Sequence, residues 1–343
     1  MVYSHHRFRG LILRLRPLAL LSTVAVTALL LAGCASSPET AETPEPTPSG
    51  QPECLVDAKP GAGSDAIKVT GEGLDAKIEV PQGTEFDDVQ RTILNKGDGD
   101  DVHAGDFISI RYQIVEADTN KVVETSERGV DGVLPMLLDP AIAQNPQAIM
   151  DSTQSPVFIA AAECAPIGSD VVFALPGQEG QSAVIVYLQT LKELPTTATG
   201  KSVDAPADMA TVKLAKDGTP SVEIPKGDAP TETTIGLLKQ GDGPTVGVGD
   251  LVTVQYLGVK WSDGTEFDSS WSRDAMPTQF PTTGVVAGFS KALEGQQVGS
   301  QVLVEIPPAD GYGPSEGHEL QKETLVFVID ILGVTPLVTD PVE

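Results

Sequence analysis

The chain has 343 residues, with 22 Lys+Arg against 48 Asp+Glu and a formal charge of −26 at neutral pH. A field of that sign disfavours nucleic acid and anionic lipid as partners and favours a dispersed, soluble surface. Only His103 and His318 follow the first six residues, so a His-rich metal site or a Ser-His-Asp triad has little to draw on, while the length suggests two domains.

In chain order, residues 1–33 begin with Arg7, Arg9, Arg14 and Arg16 and no acid, then run apolar from Pro17 to Ala32. That run is too short and one-sided for a membrane span and predicts a signal peptide. Its end, Leu31-Ala32-Gly33-Cys34, resembles the lipobox of bacterial lipoproteins. The resemblance implies that Cys34 receives a lipid, that the protein is exported, and that a lipid anchor alone ties it to the outer face of the cell membrane. A plain secretory signal with a chance Cys is the alternative. Cleavage would remove four Arg and no acid and leave a formal charge of −30. Residues 34–53 (CASSPETAETPEPTPSGQPE) hold almost nothing apolar and read as a disordered tether. Cys54 and Cys164 then remain as a disulfide pair for an exported chain, or as two buried thiols.

The rest is a duplication. Glu79-Val80-Pro81-Gln82-Gly83 recurs as Glu223-Ile224-Pro225-Lys226-Gly227, Gly97-Asp98-Gly99 as Gly241-Asp242-Gly243, and Tyr112 as Tyr256, at a constant offset of 144. Two domains follow, 54–195 and 210–336, with a polar linker at 196–209 and a tail at 337–343. Within the second, Val252, Val254 and Tyr256 alternate as a strand does, Val302, Val304 and Ile306 repeat the pattern, and Leu325 to Ile331 suits a central strand. Phe289, Ala292 and Leu293 at i, i+3, i+4 before Gly295 predict a short one-sided helix. The fold class is therefore α+β, mainly β: two tandem domains, each a twisted antiparallel sheet wrapped on one short helix. Alternating pieces at 66–80 and 210–224 predict an added hairpin or edge strand before each copy. The acids of GDGDD at 97–101 lack the spacing of a calcium loop, and the matching GDG of the second copy points to a turn.

The order Leu251-Val-Thr-Val-Gln-Tyr256, then Gly264-Thr-Glu-Phe267-Asp268-Ser-Ser270, then Val285-Val286-Ala-Gly-Phe289, Asp310-Gly-Tyr312-Gly and Leu325-Val-Phe327 resembles the FK506-binding-protein family of peptidyl-prolyl isomerases. The resemblance implies an aromatic cup between sheet and helix. Tyr256, Phe267, Asp268, Tyr312 and Phe327 would be its catalytic residues; Arg273, Val285, Val286, Phe289 and His318 would bind substrate. Phe289 stands where the best-known members have Trp, and Thr278 where they have another aromatic, which leaves a wall of the cup open. The family needs no cofactor or metal, binds proline-containing polypeptides and also takes FK506-like macrolides. The rival reading is a non-catalytic polypeptide-binding lipoprotein, and Thr278 supports it. At the same offset, Phe267-Asp268-Ser269-Ser270 becomes Val123-Glu124-Thr125-Ser126, and the loop bearing Tyr312 shrinks. The first copy is expected to be degenerate and inactive.

Overall fold

The structure is a computed structural model that describes Cys54 and residues 58–143, 155–178, 180–204 and 206–337. The signal peptide, Cys34, the tether to residue 53 and the tail beyond Leu337 lie outside the described residues. Among the described residues no helix is long and apolar enough to cross a membrane.

The first copy opens with α1 (Ala62–Ala66) and a hairpin of β1 (Lys68–Thr70) and β2 (Lys77–Glu79). Its main sheet follows: β3 (Gln90–Asn95), β4 (Phe107–Glu116), β5 (Lys121–Thr125), β6 (Leu134–Leu137), β7 (Asp170–Leu175) and β8 (Val184–Glu193). Between β6 and β7 lie α2 (Pro140–Ala143) and α3 (Ser155–Ala162). A two-residue strand, β9 (Lys201–Ser202), leads into the second copy. That copy has a hairpin of β10 (Thr211–Leu214) and β11 (Pro220–Glu223), then β12 (Thr234–Gln240), β13 (Leu251–Lys260), β14 (Glu266–Ser269), β15 (Thr278–Pro281), helix α4 (Ala287–Leu293), β16 (Gln301–Ile306) and β17 (Leu325–Thr335).

The duplication is legible in the topology. The first main sheet runs β3-β7-β8-β4-β5 with β6 also on β4; the second runs β12-β16-β17-β13-β14 with β15 on β13, and β9 extends its β12 edge. All of these pairings are antiparallel.

Each main sheet is covered on both faces. On one, α3 lays Phe158 and Ile159 against Ile110, Tyr112 and Phe173, and α4 lays Phe289, Ala292 and Leu293 against Val252, Val254 and Tyr256. Burying a residue such as Phe289 or Leu293 contributes about 1.5–3 kcal/mol before entropy. The other face meets the hairpin: Ile78 and Val80 cover Val115 and Tyr187 in the first copy, and Val212, Val222 and Ile224 flank Leu257, Val259 and Val328 in the second. Period-two alternation in β13 predicts one buried face, yet eight of its ten residues are buried. The hairpin is part of the physical reason, since it hides Leu257 and Val259 on the face that the pattern alone would leave wet, while Gln255 bonds to Ala275 and Thr253 to Gln279.

The polar stretch at 196–209 joins the copies and is also fastened to the second. The Ala198 amide donates to the buried Asp330 carboxylate at 2.8 Å, Lys239 Nζ donates to the Ala198 carbonyl at 2.8 Å, and Met209 is buried. Cys54 and Cys164 are disulfide-bonded with their Cα atoms 6.0 Å apart, which ties the N-terminal arm to the chain just beyond α3.

The described residues fall in one unit, and the copies meet through side chains. Phe107 of β4 and Leu137 of β6 bury themselves against Leu332 of β17, with Leu194 and Met276 packed on the cluster. Gly333 permits the approach: a Cβ there would stand 2.9 Å from the Pro135 Cβ and 3.0 Å from the Phe107 ring.

Candidate functional site

Tyr256 is delivered to the helix-side face by β13, and its backbone is clamped there by Ser270. The Ser270 hydroxyl accepts from the Tyr256 amide at 2.8 Å, and the Ser270 amide donates to the Tyr256 carbonyl at 3.0 Å. In the first copy Ser126 and Tyr112 make the same pair of bonds, each at 3.1 Å. The second Ser of the Asp-Ser-Ser run is thus part of the scaffold in both copies.

The turn at Gly264 (φ 69°) brings the chain back as β14, so Asp268 lies opposite Gly258. The Tyr256 hydroxyl donates to Asp268 Oδ2 at 2.5 Å, Arg273 ion-pairs with the other carboxylate oxygen, and Arg273 Nη2 donates to the Tyr256 hydroxyl at 2.9 Å. Burial, and then the hydrogen bond to Asp268, push the Tyr256 phenol up to about 12. It therefore stays protonated, and a donor, at any ordinary pH. The Arg273 guanidinium is raised in turn, first by its bond to Tyr256.

A lattice of rings surrounds this triad. Phe289 of α4 is the floor, with its centroid 5.0 Å from Phe327, 5.5 Å from Phe280 and 6.0 Å from Tyr256; Phe267 stands 5.4 Å from Phe327. Interplanar angles of 73–90° make these edge-to-face contacts, the arrangement that the ring quadrupole favours. Gly258 makes room for it, because a Cβ there would fall 2.7 Å from the Phe327 ring and 2.8 Å from that of Phe267.

The result is a cavity of about 430 Å³, within the range of small-ligand sites. Its lining brings together Tyr256, Phe267, Asp268, Val285, Val286, Phe289, Tyr312 and Phe327, eight of the residues that the sequence singled out. Two others are not in the lining. Arg273 is held beside it by Asp268 and Tyr256, and the exposed His318 stacks on the Tyr312 ring, with centroids 3.9 Å apart and planes 7° apart. His318 thus lies behind Tyr312 and braces its ring. Burial and the charge of Asp268 raise the Tyr312 phenol, which also remains a donor.

The gap expected at Thr278 needs correction. Thr278 pairs with Val254 and does not line the cavity; Phe280, two residues on, does. On a strand i and i+2 share a face, so the aromatic wall is supplied one pleat later. Phe280 is the residue that sequence reasoning missed, and the alternation of β15 was the signal that could have found it. Gly284, Gly311 and Ser315 complete the lining.

The first copy keeps the scaffold without the cup. Tyr112 donates to Glu124 at 2.7 Å, Arg128 lies 3.6 Å from Glu124, and Phe158 packs on Tyr112 with centroids 4.4 Å apart. Val123, at the position of Phe267, is exposed. The space beside Tyr112 and Phe158 is about 40 Å³, room for roughly one water molecule.

Among the described residues no cluster of three His, Cys, Asp or Glu could hold a metal ion. What the second cup can do is enclose a small apolar ring, exclude water from the bond beside it, and offer the Tyr312 phenol as a donor at its edge, since the Tyr256 proton is already given to Asp268.

Comparison with known proteins agrees with this geometry. The model of the FKBP-type peptidyl-prolyl cis-trans isomerase family matches residues 243–332, which span the cup. A "Probable FK506-binding protein" of Corynebacterium glutamicum is 41% identical over 114 residues, 33% of this chain and 96% of that protein. An "FK506-binding protein" of Streptomyces anulatus is 37% identical over 120 residues, 34% of this chain and 96% of that protein. "Outer membrane protein MIP" of Legionella longbeachae is 36% identical over 100 residues, 29% of this chain and 42% of that protein.

Proposed function

Because the chain belongs to the FKBP-type peptidyl-prolyl cis-trans isomerase family, we propose that its isomerase activity resides in the second copy, at the cup floored by Phe289, and serves polypeptides outside the cytoplasm. The observation that carries the assignment is the ring lattice with the Tyr256–Asp268–Arg273 network, which has an open cavity in the second copy and only a remnant in the first.

The reaction needs no nucleophile. An X–Pro bond resists rotation by about 18–20 kcal/mol because rotation breaks amide resonance. Its polar, planar ground state is better solvated than the twisted transition state. A ring-lined cup that takes the proline and strips water from the amide therefore favours the twisted form. Tyr312, at the mouth and held flat by His318, is placed to donate to a neighbouring carbonyl. Asp268, tied by Tyr256 and Arg273, sets the charge at the edge. Phe280 gives the cup an aromatic wall beside Thr278, which weighs against the non-catalytic reading.

Export and anchoring rest on the leader and Cys34, with the membrane in one relative's name as a supporting likeness. The first copy serves as a non-catalytic partner of the second. FK506-like macrolides are expected as ligands of the same cup. The test is the isomerisation rate of a series of X–Pro peptides with the full chain beside Tyr312→Phe. Catalysis that drops sharply in the variant supports the assignment, and unchanged rates in a folded variant remove Tyr312 from it.

A further inference from the structure

The segment between β14 and β15 has no regular structure, yet it carries Arg273 and leads directly into Phe280. Its backbone is left-handed at Asp274 (φ 56°) and Ala275 (φ 51°), neither of them glycine. Such residues persist where their surroundings over-determine them, and they gather where strain serves a site.

Two anchors hold this one. From its own sheet the buried Gln255 donates to the Ala275 carbonyl at 2.5 Å and accepts the Ser270 hydroxyl. From the other copy, Phe107 and Leu137 join Leu332 of β17 in the buried cluster on which Met276 packs. β15 continues the pattern, with its neighbouring residues turned to different copies. Phe280 lines the active cup, while Gln279, with Leu251 and Thr335, lines what remains of the first cup beside Tyr112 and Phe158. A displacement on one face of so short a strand moves the other.

Resting on the second-copy cup as the isomerase site, we propose that the first copy positions its wall: Met276, packed on the cluster that Phe107 and Leu137 form with Leu332, fixes the 271–281 segment so that Arg273 holds Asp268 and Tyr256 and Phe280 faces the substrate. Met276 is a positioning residue, since it is not part of the cavity lining. The first copy's lost cup then has a use, because its mouth has become a support for the wall strand of the second.

The experiment compares the full chain with Met276→Ala, Met276→Leu and Leu137→Ala, the last of which lies on the first sheet and outside the cup. For an X–Pro peptide, KM is expected to rise roughly tenfold in Met276→Ala and Leu137→Ala with kcat little changed, as a displaced wall weakens ground and transition state alike. Met276→Leu should return KM to within about twofold of wild type. Amides of residues 271–281 should exchange with deuterium faster in the two Ala variants only. Met276 is half-buried, so its variants are expected to fold even if Leu137→Ala does not. A wild-type KM in folded Met276→Ala overturns the proposal whatever the exchange shows. Should the wild type itself fail to catalyse, the isomerase reading falls separately. Exchange then decides: faster exchange in Met276→Ala supports positioning, and unchanged exchange overturns it.

Discussion

Replacing Phe289 by Leu tests whether the ring lattice, and not mere apolarity, shapes the cup. Leu refills most of the volume, so the substitution as a hydrophobic swap costs under about 1.5 kcal/mol. The ring, however, has partners at 5.0, 5.5 and 6.0 Å, each worth about 0.5–1.5 kcal/mol beyond buried area. These contacts share one ring and do not simply add, so roughly 1–3 kcal/mol is lost on that account and about 2–4 kcal/mol in all. The two tryptophans, Trp261 and Trp271, both lie in the second copy, so the fluorescence change in urea reports that copy. Catalysis should suffer with it, since losing one aromatic contact to the proline ring lowers kcat/KM roughly tenfold. A midpoint shift equivalent to less than about 1 kcal/mol, with kcat/KM unchanged, would refute the reasoning.

Three further outcomes are expected. Tyr256 is held near 12, so kcat/KM should show no phenol ionisation up to about pH 10, whereas an unperturbed tyrosine would titrate there; a pH–rate profile checks this. Asp330 is buried and its pKa is raised, chiefly by desolvation, against the bonds from Ala198 and Gln301. The native state therefore binds its proton more tightly than the unfolded one, and stability must fall as pH rises from about 4 through the raised value. Urea midpoints across that window should decline more steeply for wild type than for Asp330→Asn, and parallel curves would contradict the assignment. Cys54 and Cys164 close a loop of separation 110, so Cys164→Ser should cost about 4–5 kcal/mol in the chain-entropy account. Unfolding of the first copy, followed by the near-ultraviolet signal of Tyr112 and Tyr187, reads it, and an unchanged midpoint would argue against that loss.

Much of the site was legible because its residues keep a fixed order on rigid elements. Tyr256 on β13, Phe267-Asp268 on β14, Phe289 on α4 and Phe327 on β17 are placed by strand and helix periods that the sequence displays. Phe280 was hidden because the expectation fixed on position 278, although period two puts 278 and 280 on the same face. The double burial of β13 was hidden because its second cover, the β10–β11 hairpin, is a tertiary partner. The attachment of 196–209 to the second sheet rests on single bonds to Asp330 and Lys239 that a polar composition does not announce. Met276 carried no local signal at all: its role depends on Gly333 letting Phe107 and Pro135 approach, a contact between residues more than 190 positions apart.

The measurement that tests the central claim most directly places one lesion in each copy of the full chain, Asp268→Leu in the second and Glu124→Leu in the first, and follows isomerisation of an X–Pro peptide. The account predicts that Asp268→Leu loses most of the catalysis while Glu124→Leu keeps nearly all of it. Activity that survives Asp268→Leu and falls in Glu124→Leu, with both variants folded, would contradict it.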